Sequence, residues 1–185
     1  MPTALLLVDI QNDYFTGGRM PLHEIDRAAE NAARLLAHFR DTNQKVFHIQ
    51  HTWEDPLAPF FVAGTPGAAT HESVAPLANE PVIVKHFPNS FRESQLQDEL
   101  QRAGIDRLAI CGAMSHMCID ATTRAAADLG FDCVVAHDAC ATTNVEFGNQ
   151  KVTAPDVHAA YMSALGFAYA KVLPTKEALT TLRPV

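Results

Sequence analysis

Residues 107–120, RLAICGAMSHMCID, decide the fold, because an apolar strand there passes through a tight turn into an alanine-rich helical stretch. The strand lies within residues 107–113, the turn covers 114–117, and the helical stretch begins at Cys118 and ends at Gly130. Strand–turn–helix units of this kind build parallel sheets. A thiol at such a turn lies near the positive end of the helix dipole, so we expect a lowered pKa for Cys118.

The same unit repeats along the whole chain. Apolar runs predict six strands, at Ala4–Val8, Lys45–Ile49, Val82–Val84, Leu108–Cys111, Cys133–Ala136 and Ala170–Leu173. Helical spacing of apolar residues lies between them, most clearly at Ile25, Ala28, Ala29, Ala32, Leu35, Leu36 and Phe39. We therefore predict a single α/β domain over residues 1–185. It is a Rossmann-like, three-layer α/β/α arrangement with a six-stranded, mainly parallel sheet.

Composition narrows the class of protein. The formal charge of −7 argues against a nucleic-acid surface, which needs clustered Lys and Arg. No apolar run approaches the roughly 20 residues that cross a bilayer, so we expect no membrane partner. The first residues lack a basic segment and a cleavage site, and the four cysteines show no metal-type spacing. We expect a cytoplasmic protein that acts on a small molecule.

Three residues with reactive or charged side chains follow apolar strands. They are Asp9, Lys85 and Cys118. Taken singly, each has an ordinary structural interpretation, as a turn cap, a solvated strand end and a buried thiol. In a parallel sheet, however, the carboxyl ends of the strands share one edge, where ligands bind. There Asp9 can act as a base, Lys85 can stabilise a thiolate, and Cys118 can attack a carbonyl carbon. Backbone amides of the turn before Cys118 would hold the oxyanion.

These residues lie in three motifs that resemble those of the isochorismatase-like cysteine hydrolases. The resemblance covers nearly the whole chain and rests on LLLVDIQNDYF at 5–15, KHFPNSF at 85–91 and ICGAMSHMCIDAT at 110–122, followed by FDCVVAHDA at 131–139. It implies that Asp9, Lys85 and Cys118 form a catalytic triad. It also implies a cis peptide at Ala113–Met114 and an oxyanion hole made by the amides of Met114 and Cys118.

Departures from related patterns narrow the expected chemistry. Isochorismatases proper resemble this chain but lack the nucleophilic cysteine, so Cys118 favours acyl transfer on an amide. Nicotinamidases carry a metal-binding Asp and His, and here His51 and Trp53 stand at the expected positions, with Phe60 near that of a later His. We therefore expect no metal and no cofactor.

The substrate pocket is less well defined by the sequence. Phe15, Trp53, Phe60, Ala113 and His116 are candidates to line it, although the aromatic residues fit a core or a subunit contact equally well. The segment 141–152 is either a lid over the site or a plain surface loop.

Three functions remain open from the sequence. The leading one is a metal-independent cysteine hydrolase that cleaves the C–N bond of a small amide through a thioester on Cys118. A second is cleavage of a vinyl ether or ester on the same fold. A third is a non-catalytic binding or redox-sensing module that uses Cys118. By resemblance, we expect a homodimer or a larger homo-oligomer.

Overall fold

The computed structural model describes residues 1–182 of the chain. The strands of this region are β1 Thr3–Val8, β2 Lys45–His51, β3 Val82–Lys85, β4 Arg107–Ala113, β5 Asp132–Ala141, β6 Val145–Phe147, β7 Gln150–Val152 and β8 Lys171–Leu173. The α-helices are α1 Ile25–Asp41, α2 Leu96–Arg102, α3 Asp120–Asp128, α4 Ala154–Ala168 and α5 Thr175–Thr181. Strands and helices alternate through most of the chain, which gives the repeated unit that builds a parallel sheet.

One sheet contains six of these strands in the order β3-β2-β1-β4-β5-β8. All of its neighbouring strands pair in parallel. The prediction of a six-stranded parallel sheet flanked by helices is therefore confirmed. The order reverses between β1 and β4, and ligands of such sheets bind outside the carboxyl ends of the strands at this switch point. The fold thus directs attention to the residues that follow β1 and β4.

The core follows from the apolar pattern of its elements. Every residue of β1 is buried, as expected for a central strand covered on both faces. The stripe predicted for α1 is also buried, and this helix contacts β1, β2, β4 and β5. Helix α5 packs against α1. Helices α3 and α4 pack against each other, and α3 also contacts β5 while α4 contacts β8. Within residues 1–182, no helix combines the length and apolar character needed to cross a lipid bilayer.

Gly112 allows the carboxyl ends of β1 and β4 to lie close together. Its φ of +126° is a conformation that residues with a side chain rarely adopt. A Cβ atom at this position would collide with the backbone carbonyl of Val8. The close approach therefore requires glycine, and it brings the segment after β1 next to the turn after β4.

The structure extends or adds several elements relative to the sequence predictions. Strand β5 continues past Ala136 to Ala141 and contains a bulge between Val135 and Cys140. His137 and Asp138 interrupt the apolar run there, so the run alone predicts a shorter strand. Residues Ser115–Ile119 form a π-helical turn, so α3 begins at Asp120 and Cys118 lies in the turn rather than at the start of the helix. The segment 141–152 contains the antiparallel hairpin of β6 and β7, whose mostly exposed residues gave no strand pattern.

Candidate active site

The ammonium group of Lys85 is the centre of a buried cluster of polar groups. Its Nζ atom lies 2.7 Å from Asp9 Oδ2, 3.1 Å from His51 Nδ1, 3.1 Å from the carbonyl oxygen of Phe87 and 3.3 Å from Cys118 Sγ. Asp9 and Lys85 have no exposed surface, and Cys118 is 5% exposed. The structure therefore places Lys85 in contact with both Asp9 and Cys118.

The sheet explains how residues so distant in sequence meet. Asp9 directly follows β1 and adopts a left-handed backbone conformation with a φ of 53°. Lys85 is the last residue of β3, and Cys118 lies in the turn after β4. These are strand ends at one edge of a parallel sheet, and the long side chain of Lys85 extends from β3 toward the switch point between β1 and β4.

Burial and charge set the protonation of the cluster. Burial alone would lower the pKa of Lys85, but the neighbouring Asp9 and Cys118 outweigh it and raise that pKa. The lysine is therefore an ammonium at neutral pH. The side chain of Asp9 lies against this ammonium.

The pKa expected for Cys118 was wrong in direction. Burial raises the pKa of this thiol, the nearby Asp9 raises it further, and Lys85 opposes both without cancelling them. A helix dipole lowers the pKa of an exposed sulfur at a helix start, whereas this sulfur is buried in a π-helical turn near Asp9. Cys118 is therefore a thiol at rest, with a proton acceptor beside it.

The turn that carries Cys118 is held from several sides. The Ala113–Met114 peptide bond is cis, and both residues are buried. The hydroxyl of Ser115 lies 2.8 Å from Nδ1 of His158 on α4 and donates to the carbonyl oxygen of Ala141. Further along the chain, Thr122 Oγ1 lies 2.7 Å from Ser90 Oγ, and this hydrogen bond connects α3 to the segment that follows Lys85. These contacts fix the backbone from which the sulfur projects.

His51 is a member of the cluster that the sequence reasoning missed. It is the last residue of β2, directly in register with Lys85 on β3, and the residue is 5% exposed. Burial and, to a smaller extent, the adjacent ammonium of Lys85 lower the pKa of His51 to about 4, so the imidazole is neutral near pH 7. The strand-end rule that selected Asp9 and Lys85 also applies to His51. In the sequence, His51 stands out only as a departure from a metal-binding pattern.

Gln11 and Asp13 hold the loops around the cluster. The side-chain amide of Gln11 donates to the carbonyl oxygens of His51 and Ala68 and accepts from the N–H of His51. Asp13 is 4% exposed, and its carboxylate accepts from the backbone N–H groups of Arg19 and Phe61. Both residues of the opening motif therefore anchor the segments that border the site.

Asp9, His51 and Cys118 present a ligand set suited to a thiophilic metal. One potential ligand atom from each residue lies within 4.8 Å of the others. Lys85 Nζ, however, contacts all three side chains and lies where a cation would bind. The residues therefore fit a metal poorly while Lys85 keeps this position.

The predicted pocket residues differ in their relation to the cluster. Trp53 packs on His51 with 5.0 Å between ring centroids. Phe60 contacts Tyr14 and Phe61, one ring further out. Phe15 stacks face to face on His71.

Two further residues lie near the cluster. His116 forms a hydrogen bond of 2.6 Å with Thr142 Oγ1, at the start of the predicted lid segment. Tyr14, which the sequence reasoning did not select, is buried beside the triad. Burial and the nearby Asp9 and Cys118 raise its pKa.

The sequence and the fold of this chain are similar to those of known proteins. Residues 3–160 match the sequence pattern described as the isochorismatase domain. The chain is 52% identical over 179 residues to the isochorismatase family protein YddQ of Bacillus subtilis, covering 97% of this chain and 99% of YddQ. A crystal structure of a protein from Oleispira antarctica superposes with a TM-score of 0.94 at 52% identity, covering 97% of this chain and 96% of that one. Maleamate amidohydrolase of Pseudomonas putida is 29% identical over 195 aligned positions, covering 97% of this chain and 86% of that enzyme.

Proposed function

This chain belongs to the isochorismatase family of hydrolases, and from that premise we propose that it cleaves the C–N bond of a small amide through an acyl-thioester on Cys118. One observation carries the proposal: Lys85 Nζ lies within 3.3 Å of both Asp9 Oδ2 and Cys118 Sγ in a buried cluster. A nucleophile, a proton acceptor and a fixed cation are the groups that thiol-based acyl transfer requires.

The first step begins from the resting thiol. Asp9 accepts the proton of Cys118 Sγ while the sulfur forms a bond to the carbonyl carbon of the amide. Because the thiol pKa is raised, a free thiolate does not accumulate, and proton transfer accompanies attack. The negative charge leaves Asp9 and reaches the substrate oxygen, and Lys85 remains close to both reacting side chains.

The backbone of the turn supplies the next requirement. We assign the amide N–H groups of Met114 and Cys118 to the developing oxyanion, because both belong to the turn that presents the sulfur. Such donors are often the largest single contribution to acyl transfer. The held conformation of the turn means that they need no rearrangement during the reaction.

The remaining steps return the site to its starting state. The tetrahedral intermediate collapses, the C–N bond breaks, and the leaving nitrogen takes the proton from Asp9. Water then attacks the thioester, gives a proton to Asp9, and the carboxylic acid leaves as Cys118 regains its proton. The balance is one amide and one water converted to one acid and one amine or ammonia.

Two observations favour this function over its rivals. A relative that aligns along 97% of this chain is named as an amidohydrolase. Redox sensing by Cys118 requires an accessible thiolate of low pKa, whereas this thiol is buried and its pKa is raised. The small exposed fraction of Cys118 also favours a substrate with a small acyl group.

The experiment is release of ammonia from a panel of small primary amides, measured for the wild type, Cys118→Ala and Cys133→Ala. Cys133 is the matched control, since it is also a buried thiol whose pKa burial raises, to about 12, but it lies in β5 away from the triad. We expect release by the wild type and Cys133→Ala and none by Cys118→Ala. Release that is absent from all three proteins, or equal in all three, contradicts the proposal.

A further inference from the structure

His51 is joined to the reacting residues through Lys85. Its Nδ1 atom lies 3.1 Å from Lys85 Nζ, and the two residues are directly paired between β2 and β3. Side chains at paired positions of parallel strands point to the same face of the sheet. The contact is therefore a consequence of sheet register, and it involves a group that the proposed reaction steps do not use.

The imidazole of His51 is fixed in place. Gln11 holds its backbone N–H and carbonyl oxygen through two hydrogen bonds of 2.8 Å. The rings of Trp53 and Phe61 pack against it with centroids 5.0 and 6.3 Å away. The ring thus presents Nδ1 to Lys85.

The charges around His51 determine which nitrogen carries the proton. Burial lowers the pKa of His51 most, Lys85 on β3 lowers it next, Asp9 after β1 raises it, and His86 lowers it least. An ammonium is only a donor, so the nitrogen that faces it, Nδ1, is the acceptor. The proton therefore lies on Nε2, which is buried and has no hydrogen-bond partner among residues 1–182.

The ammonium of Lys85 has three protons and four neighbouring acceptors. Two of these acceptors, Asp9 and Cys118, exchange a proton in the proposed reaction. The other two, His51 Nδ1 and the carbonyl oxygen of Phe87, keep the same protonation throughout. A cation held only by the reacting groups would move with the negative charge as it passes from one to the other.

We propose that His51 is a positioning residue, whose neutral imidazole accepts a hydrogen bond from Lys85 and holds the ammonium between Asp9 and Cys118. This inference rests on the proposed function for its meaning in catalysis. Whatever the reaction, it means that His51 fixes the position of the Lys85 ammonium and thereby the reactivity of the Cys118 thiol. In this arrangement Nδ1 of His51 binds the ammonium of Lys85 and is not available as a metal ligand.

The test compares His51→Asn with His51→Leu. The two side chains have nearly the same shape and both remove the ring, but only Asn offers an oxygen where Nδ1 was. The readout is the rate of alkylation of Cys118 by iodoacetamide as a function of pH, with the modified residue identified by peptide mass spectrometry. We expect the leucine variant to react roughly tenfold or more slowly, since a displacement of about 1 Å in a reacting group can cost about 100-fold. The asparagine variant should recover most of the wild-type rate, and kcat should fall with little change in KM wherever an amide substrate is found.

Two results of the alkylation experiment overturn the inference. One is a wild-type pH profile in the leucine variant, and the other is equal slowing in both variants, which would make the ring itself the important feature. Because alkylation needs no substrate, this result is independent of whether the protein cleaves amides. If the leucine variant does not fold, ¹⁵N NMR of wild-type His51 decides: a neutral ring protonated on Nε2 at neutral pH supports the inference, and a proton on Nδ1 overturns it.

Discussion

Lys85 Nζ lies 2.7 Å from Asp9 Oδ2 although neither side chain has any exposed surface. Removing two charges from water is costly, and their mutual attraction offsets that cost only when both partners are present. The pair is therefore interdependent, and the loss of either charge leaves the other buried without compensation. This relationship links the stability of the protein to its proposed chemistry.

Asp9→Asn is predicted to lower both stability and activity. The uncompensated charge of Lys85 should reduce the free energy of unfolding at neutral pH by about 3–5 kcal/mol. Loss of the proton acceptor should reduce turnover by about 10²- to 10⁴-fold. Urea denaturation measures the first effect. The matched control is Asp132→Asn, which breaks the surface pair with Arg107 and should cost less than about 1 kcal/mol. Similar small losses in both variants would contradict the account.

Gly67→Ala is predicted to disturb the loop that Asp13 holds. A Cβ atom at Gly67 would collide with the Asp13 carboxylate, which cannot move freely because it binds the backbone N–H groups of Arg19 and Phe61. We expect a loss of about 1–3 kcal/mol in unfolding free energy, the usual cost of overpacking. Chemical denaturation measures it.

Gly166→Ala provides the control with the opposite sign. Gly166 lies in α4, where an added Cβ meets only ordinary contacts with Val172. Alanine should therefore stabilise the helix by about 0.5–1 kcal/mol. A stabilising Gly67→Ala, or a destabilising Gly166→Ala, would be inconsistent with the packing described.

Much of the architecture could be predicted from the pattern of apolar residues. The buried run of β1 and the stripe of α1 follow the periods of a central strand and an amphipathic helix. Because strand ends of a parallel sheet share one edge, the meeting of Asp9, Lys85 and Cys118 could also be predicted before the structure was known. Local patterns and one topological rule were sufficient for these features.

Other features depended on tertiary surroundings that the sequence does not display. The direction of the Cys118 pKa shift depends on how deeply the sulfur is buried and on its distance from Asp9. The hairpin of β6 and β7 escaped prediction because its residues are mostly exposed, which removes the alternation that marks a strand. The strand-end rule applies to His51 as well, but its contact with Lys85 depends on the register of β2 with β3, which cannot be read from either strand alone.

The stability of the protein is predicted to fall as the pH is lowered from about 6.5 to about 4. The pKa of His51 is lowered from 6.5 to about 4 in the folded state, so in this range the unfolded chain binds a proton that the folded protein does not. The loss should approach about 3 kcal/mol. Glu80 affects the stability only at lower pH, because its hydrogen bonds with Arg40 hold its pKa at about 2.

Denaturation as a function of pH separates the His51 contribution. The difference in unfolding free energy between the wild type and His51→Asn should change across this range and stay constant above it. A constant difference at every pH would show that His51 does not titrate as described.

Lys85→Ala is predicted to create a metal site. The substitution removes the ammonium and leaves Asp9, His51 and Cys118, an oxygen, nitrogen and sulfur donor set suited to Zn²⁺. Because a ligand that binds only the folded state stabilises it, Zn²⁺ should raise the Tm of this variant. The wild type, in which Lys85 occupies that space, should show no such increase. An equal response of both proteins to Zn²⁺ would contradict the view that the lysine replaces a metal.

The most direct test of the central claim is intact-protein mass spectrometry of enzyme quenched with acid during turnover of the best amide, followed by peptide mapping. The account predicts an added acyl mass on Cys118 in the wild type, and its absence from Cys118→Ala. Turnover with no adduct on the protein under any quench time, or an acyl group on Cys111, Cys133 or Cys140 instead, would contradict it.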